Sequence, residues 1–190
     1  YYLEETLKHD GTDLKGKTIA VSGFGNVAWG VCKKAAELGG KVVTLSGPDG
    51  YIYDPDGVCT DEKINYLLTM RDSNRNKVKD YADKFGVQFF EGKKPWGQAV
   101  DIVMPCAMQN DVNMDSAELI ARNGVPYYIE VANMPTTNEA LRFFEDRQAN
   151  GLMKAVAPCK AVNAGGVATS ALEMSQNAEK LSWTAEEVDG

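Results

Sequence analysis

The sequence predicts a doubly wound α/β fold on a mostly parallel sheet, and three observations carry that expectation. Short β-branched or apolar runs alternate with stretches of helical periodicity along the whole chain. The run Ala99–Pro105 is almost continuously apolar, as a strand covered on both faces must be. Finally, Lys17–Ser22, the turn Gly23-Phe24-Gly25-Asn26-Val27-Ala28, the helical run Val27–Leu38 closed by Gly39-Gly40, and the strand Lys41–Ser46 follow in the order of a βαβ unit. Parallel strands need crossovers, and these are right-handed.

Taken in order, Leu3–His9 reads as the last turns of a helix stopped by Asp10-Gly11. After the βαβ unit, Tyr51-Ile52-Tyr53 with Asp54-Pro55-Asp56-Gly57 reads as a short hairpin-like excursion, because aspartate, proline and glycine favour turns. Helices are expected over Asp61–Arg71 and Asn76–Phe85, a short strand over Val87–Phe90, and a loop over Glu91–Gln98. Ser116–Asn123 is a helix ended by Gly124, and Tyr127–Val131 the next strand. Thr137–Gln148 is a helix capped by Thr136 or Thr137, with Asn138 or Glu139 near the capping-box position. Leu152–Ala157 is the last strand and Ala164–Lys180 a long final helix. The expectation is one domain, 1–190, with no repeats.

Composition excludes several classes of function. A formal net charge of −7 argues against nucleic acid or an anionic membrane as partner, since both select a basic face. No apolar run approaches the length of a membrane span. Cys32, Cys59, Cys106 and Cys159 are dispersed, with no C-x-x-C pair, which suits reduced thiols in a cytoplasmic setting and argues against zinc. The single histidine, His9, lies in a polar stretch with no nucleophile or ligand set nearby. Ser-His-Asp, Cys-His and histidine-metal chemistry therefore have nothing to work with, so any proton transfer falls to carboxylates, lysines or water. Trp29, Trp96 and Trp183 lack interleaved basic residues and are read as packing residues. Cys159, between Pro158 and Lys160, is read as a buried structural thiol.

The glycine turn implies a dinucleotide. Gly23 permits the tight exit from the strand, Gly25 lets backbone touch a pyrophosphate, and Ala28 lets the helix approach the sheet. Free N–H groups at the helix start and its macrodipole would attract the phosphates. Ligands of such sheets lie beyond the carboxyl ends of the strands. Three further exits are therefore singled out: Ser46-Gly47-Pro48-Asp49-Gly50; Pro105-Cys106-Ala107-Met108-Gln109-Asn110; and Ala132-Asn133-Met134-Pro135. Their amides can both donate to and accept from ribose hydroxyls and a carboxamide. In the last helix, Asn163, Val167 and Ser170 are spaced four and three apart and share one face. Gly165 and Gly166 beside them each cost about 1 kcal/mol relative to alanine. That cost implies close backbone approach, either to a ligand or to the sheet.

The runs Gly16–Ala28, Ile129–Thr137 and Lys160–Val167, continued by Glu173–Asn177 and Ser182–Val188, resemble the nucleotide-binding domain of hexameric bacterial glutamate dehydrogenase, in the Glu/Leu/Phe/Val dehydrogenase family. The resemblance implies reversible oxidative deamination of L-glutamate to 2-oxoglutarate and ammonia, with hydride passed to NAD or NADP. It implies that Gly23, Phe24, Gly25, Asn26 and Val27 serve the pyrophosphate end, and that Pro48 and Asp49 face the adenosine ribose. Cys106, Ala107 and Asn133 would line the nicotinamide half. Asn163 would stand beside nicotinamide and substrate, Val167 would shape the pocket, and Ser170 would donate to the side-chain carboxylate of glutamate.

In that family the substrate-binding lysines and the proton-handling aspartate belong to a preceding domain, and further helices follow. The chain is therefore expected to be a fragment of a longer, homohexameric polypeptide, to bind cofactor, and not to turn glutamate over alone. NAD is expected rather than NADP, because Gly47-Pro48-Asp49 offers a carboxylate and no adjacent cation, although Asp49 stands one or two places late. Two other readings are a related dehydrogenase of an apolar amino acid, against which the Ser170 hydroxyl argues, and a non-catalytic dinucleotide-binding or assembly module.

Overall fold

In the computed structural model, which describes residues 1–180, 182–184 and 187, the helices and strands alternate as α1 (Tyr2–His9), β1 (Thr18–Val21), α2 (Asn26–Glu37), β2 (Lys41–Gly47), β3 (Gly50–Tyr53), α3 (Asp61–Asp72), α4 (Lys79–Phe85), β4 (Gln88–Glu91), β5 (Ile102–Met104), α5 (Met114–Arg122), β6 (Tyr127–Ile129), α6 (Asn138–Ala149), β7 (Ala155–Ala157), α7 (Cys159–Val162) and α8 (Ala164–Glu179). The Ser182–Val188 run falls only partly within the described residues.

The seven strands form one sheet in the order β4-β3-β2-β1-β5-β6-β7. β2, β1, β5, β6 and β7 are parallel, while β3 turns back antiparallel on β2 and carries β4 on its outer edge. The mostly parallel doubly wound sheet is thus present, and the hairpin-like excursion is its antiparallel extension.

Side chains of a strand alternate between faces, and the two cores follow that alternation. Ile19 and Val21 of β1 point into one core with α1, α2, α3 and α4. Ala20 between them points into the other, with Trp96, Ile120 of α5 and Phe144 of α6. Tyr128 of β6 meets Phe144 there at 4.2 Å between ring centroids.

Several elements are shorter than their periodicity suggests, for local reasons. The helix expected from Asn76 starts at Lys79, because Asn74 and Asn76 hold left-handed φ values of 54° and 52°. The Ala99–Pro105 run pairs only over Ile102–Met104, and Pro95–Gly97 forms a single 3-10 turn before it. The last strand begins at Ala155 rather than Leu152, since 151–154 is a turn. Thr137 is the α6 cap, its hydroxyl accepting from the Ala140 N–H at 3.4 Å. A short helix, α7, precedes Asn163, and α8 buries none of its residues. Among the described residues no helix is long and apolar enough to cross a membrane.

Candidate functional site

The carboxyl ends of β1, β2 and β5 open into a cleft of about 840 Å³, within the few hundred to about 1,000 Å³ usual for small-molecule sites. Its floor is the glycine turn. Gly23 has φ 82°, and a Cβ there would stand 3.2 Å from the Cα of Ala107, so strand exit and neighbouring loop meet only because the position is glycine. Gly25 differs: a Cβ would meet nothing within 4 Å. Gly25 is the N-cap of α2, which has no side-chain cap and no acidic residue in its first turn. The helix start therefore presents free N–H groups and an uncompensated dipole to the cleft. Behind it Ala28 is fully buried.

Three hydroxyls, two at strand ends and one within β2, hold these segments together. Ser22, fully buried, accepts from the N–H groups of Cys106 at 3.1 Å and Ala107 at 3.3 Å, binding the β5 exit to the β1 exit. Ser46 accepts from the Gly23 N–H at 3.0 Å, binding the β2 exit to the same turn. Thr44 both donates to the Val21 carbonyl and accepts from its N–H, each at 2.9 Å.

Gly23, Phe24, Gly25, Asn26, Val27, Pro48, Cys106 and Ala107 all line this cleft. Asp49 does not. Both of its carboxylate oxygens accept from the start of α4, at 2.9 Å from the Val78 N and 3.0 Å from the Lys79 N. The carboxylate expected to face the ribose is engaged as a helix cap, an arrangement that residues thirty positions apart in sequence do not announce. Burial pushes the Cys106 thiol well above its ordinary range, with the neighbouring Cys32 and Asp111 adding to the effect, which leaves it a protonated lining group rather than a nucleophile.

The cleft also holds cations distant in sequence from the glycine turn: Arg71, Lys93 and Lys94. Arg71, in the last turn of α3, donates to the side-chain oxygen of Asn26 in the glycine turn. Lys94 donates to the Asp111 carboxylate at 2.7 Å and to its carbonyl at 2.6 Å. No short-range pattern marks these residues, because the pairings join strand exits far apart in the chain.

A second cluster stands at the exits of β6 and β7. The Asn163 amide donates to the Asn133 side-chain oxygen at 2.7 Å, so the two amides singled out at separate exits form a pair. Next to it Met134 holds φ 44°, an uncommon conformation for a non-glycine residue and one that concentrates at functional sites. Val167 and Ser170 follow on the first turns of α8, exposed. Gly165 and Gly166 have no neighbour within 4 Å of an added Cβ, so tight helix–sheet packing is not what these glycines serve. His9 is exposed at the end of α1, 3.6 Å from Asp10, and Cys159 and Trp96 are buried as packing residues.

The family model described as Glutamate/Leucine/Phenylalanine/Valine dehydrogenase matches residues 1–190. The chain is 69% identical over 189 residues to the NAD-specific glutamate dehydrogenase of Clostridium symbiosum, covering all of this chain and 41% of that protein. It is 49% identical to the NADP-specific glutamate dehydrogenase of Haemophilus influenzae, again spanning 41% of the relative's length. A solved structure of a glutamate dehydrogenase superposes with a TM-score of 0.96 at 69% identity, covering all of this chain and 41% of that one.

Proposed function

This chain belongs to the Glutamate/Leucine/Phenylalanine/Valine dehydrogenase family, and from that premise we propose that it is one domain, 1–190, that holds the nicotinamide dinucleotide of a glutamate dehydrogenase. The observation that carries the reading is the convergence of three strand exits on an uncapped helix start, with hydroxyl ties fixing their spacing. Gly23, Phe24, Gly25, Asn26 and Val27 take the pyrophosphate end, where the N–H groups of α2 and the Arg71 guanidinium meet its charge. Pro48 takes the adenosine ribose. Cys106 and Ala107 line the path toward the nicotinamide, and the Asn133–Asn163 pair supplies amide donors and acceptors to the nicotinamide and the amino acid. Val167 and Ser170 face the amino acid, the Ser170 hydroxyl donating to its side-chain carboxylate. When bound, the nicotinamide supplies the acceptor for hydride leaving the α-carbon of L-glutamate, the net change being 2-oxoglutarate and ammonia.

Among the described residues, no carboxylate or ammonium is hydrogen-bonded to the amide pair. The only histidine sits on α1, and the cleft ammonium of Lys94 is engaged by Asp111. The 190 residues alone are therefore proposed to bind cofactor without turning glutamate over, since positioning and general acid–base groups provide most of the rate.

NAD is the proposed cofactor. Arg71 reaches the glycine turn rather than the tip of β2. At that tip Gly47 is packed so closely between Phe24 and the Asp49 carboxylate that an added Cβ would lie 2.9 Å from each. The tip itself, Gly47-Pro48-Asp49, carries no cation to bind a 2′-phosphate. Titrating the chain with NADH and NADPH by nicotinamide fluorescence tests the reading: saturable NADH binding, tighter than NADPH, is expected. No binding of either overturns it, and glutamate-dependent NADH production by the isolated chain overturns the division of labour.

A further inference from the structure

One buried acid lies between the two exits that carry the amide pair, and neither the cofactor cleft nor the family comparison assigns it a role. Glu130 directly follows β6 and is only 2% exposed. Its backbone N–H donates to the Ala157 carbonyl at 3.0 Å, extending the β6–β7 ladder by one rung. Its Oε2 accepts from the N–H of Cys159 at 2.9 Å, across Pro158. One residue thus grips the chain on both sides of the bend that leads from β7 into α7. From α7 the chain passes to Asn163, which returns to Asn133, three residues beyond Glu130, at 2.7 Å. The segments 130–133 and 159–163 are therefore fastened at both ends, by Glu130–Cys159 below and Asn133–Asn163 above.

The mechanical consequence lies in α8. Having no buried residue of its own, this helix takes its direction from α7, and the pose of α7 depends on the Glu130 tie and on packing against α1. A carboxyl group held out of water is unfavourable unless its partners make it worthwhile, and a four-residue helix needs no such cap for its own sake. We propose that Glu130 is a positioning residue that sets where Asn163, Val167 and Ser170 stand relative to Asn133. This inference rests on the glutamate dehydrogenase reading for its catalytic consequence, though not for its structural one.

Two measurements separate those parts. Hydrogen exchange on this chain is read at 159–163 for wild type, Glu130→Ala, Glu130→Asp and Glu130→Gln, and kinetics are read for the same variants in the full-length enzyme. Exchange at 159–163 is expected to accelerate about ten-fold in Glu130→Ala and Glu130→Asp, which cannot reach the Cys159 N–H, and less in Glu130→Gln, which keeps an acceptor. KM for glutamate rises in the same order, by about five-fold or more in the first two variants, with a smaller loss of NADH affinity, because the amide pair shifts at the nicotinamide end while the contacts at α2 are untouched. If Glu130→Ala does not fold, Glu130→Asp carries the same expectation. Unchanged exchange at 159–163, a loss of NADH affinity larger than the rise in glutamate KM, or a glutamine variant no better than alanine overturns the proposal. A full-length wild-type protein inactive on glutamate instead overturns the functional reading, and the exchange order still decides the role of Glu130.

Discussion

Gly25→Ala separates binding from folding in a way few substitutions here do. Gly25 has φ −78° and ψ −165°, a region open to any L-residue, and an added Cβ meets nothing within 4 Å. Alanine is a poorer N-cap than glycine by up to about 1 kcal/mol, but it restricts the unfolded chain by a comparable amount, about 0.4–1 kcal/mol. The net change in stability is therefore expected to lie within about 0.5 kcal/mol. On the proposed reading, the space the Cβ fills is the space a pyrophosphate needs to reach the first N–H groups of α2. Displacing it forfeits one charge-assisted hydrogen bond of about 1.5–3 kcal/mol, or about 10- to 150-fold in affinity. Gly23→Ala is the contrast: φ 82° costs about 1–2 kcal/mol for an L-residue, and the 3.2 Å approach to Ala107 adds to it. Urea unfolding followed by circular dichroism and NADH titration by fluorescence read the two quantities independently. A Gly25→Ala chain that is as stable as wild type and binds NADH equally well would refute the placement of the pyrophosphate on this turn.

Arg71→Ala removes the guanidinium beside Asn26 and is expected to weaken NADH binding about ten-fold and flatten its salt dependence, with little effect on the urea midpoint because the side chain is exposed. Asp54→Ala is expected to destabilise by about 3 kcal/mol in the same urea assay, since Asp54 is buried and its loss leaves Lys63, at 2.6 Å, and the Tyr81 hydroxyl, at 2.8 Å, without their partner. Burial, aided by a 2.8 Å hydrogen bond to Asp10, pushes the Tyr127 phenol from its ordinary 10.0 up to about 12. A raised folded-state value means that its contribution is fully present below pH 10.0 and is lost as pH rises toward about 12. Tyr127→Phe should flatten that part of the alkaline stability curve, and an unchanged curve would dismiss the assignment. Gly166→Ala is expected to leave the thermal midpoint unchanged or slightly higher, as its added methyl meets nothing and alanine favours the helix by about 1 kcal/mol, while raising the glutamate KM of the full-length enzyme.

What was legible in the sequence was whatever depends on short-range pattern. The β-branched or apolar runs at Thr18–Val21 and Tyr127–Ile129, the G-x-G-x-x-A turn and the placement of amides just past strands all reflect constraints acting within a few residues. What was not legible was pairing. That Asp49 caps α4, that Arg71 reaches Asn26 and that Lys94 meets Asp111 depends on which strand exits the sheet order makes neighbours. The antiparallel return of β3 brings the loop after β4 to the mouth of the cleft, and Lys93 and Lys94 arrive with it. Composition around residues 46–50 shows no cation, but the folded cleft has three.

The two glycines that open α8 show how a structure narrows a sequence argument without replacing it. Helical spacing left two explanations for Gly165-Gly166, packing on the sheet or approach of a ligand. The sheet is out of reach, because neither added Cβ has a neighbour within 4 Å. Their combined cost of about 2 kcal/mol in helix propensity is therefore offset by nothing in the body of the chain. The same helix start carries Asn163, tied to Asn133, and presents Val167 and Ser170 on the following turns without burying them. A polypeptide backbone left bare on the same helix start as a fixed amide pair is suited to something that arrives from outside the domain. On the proposed reading the requirement for glycine lies in the bound state rather than in the fold, which is why local pattern detects the anomaly but cannot say what it serves.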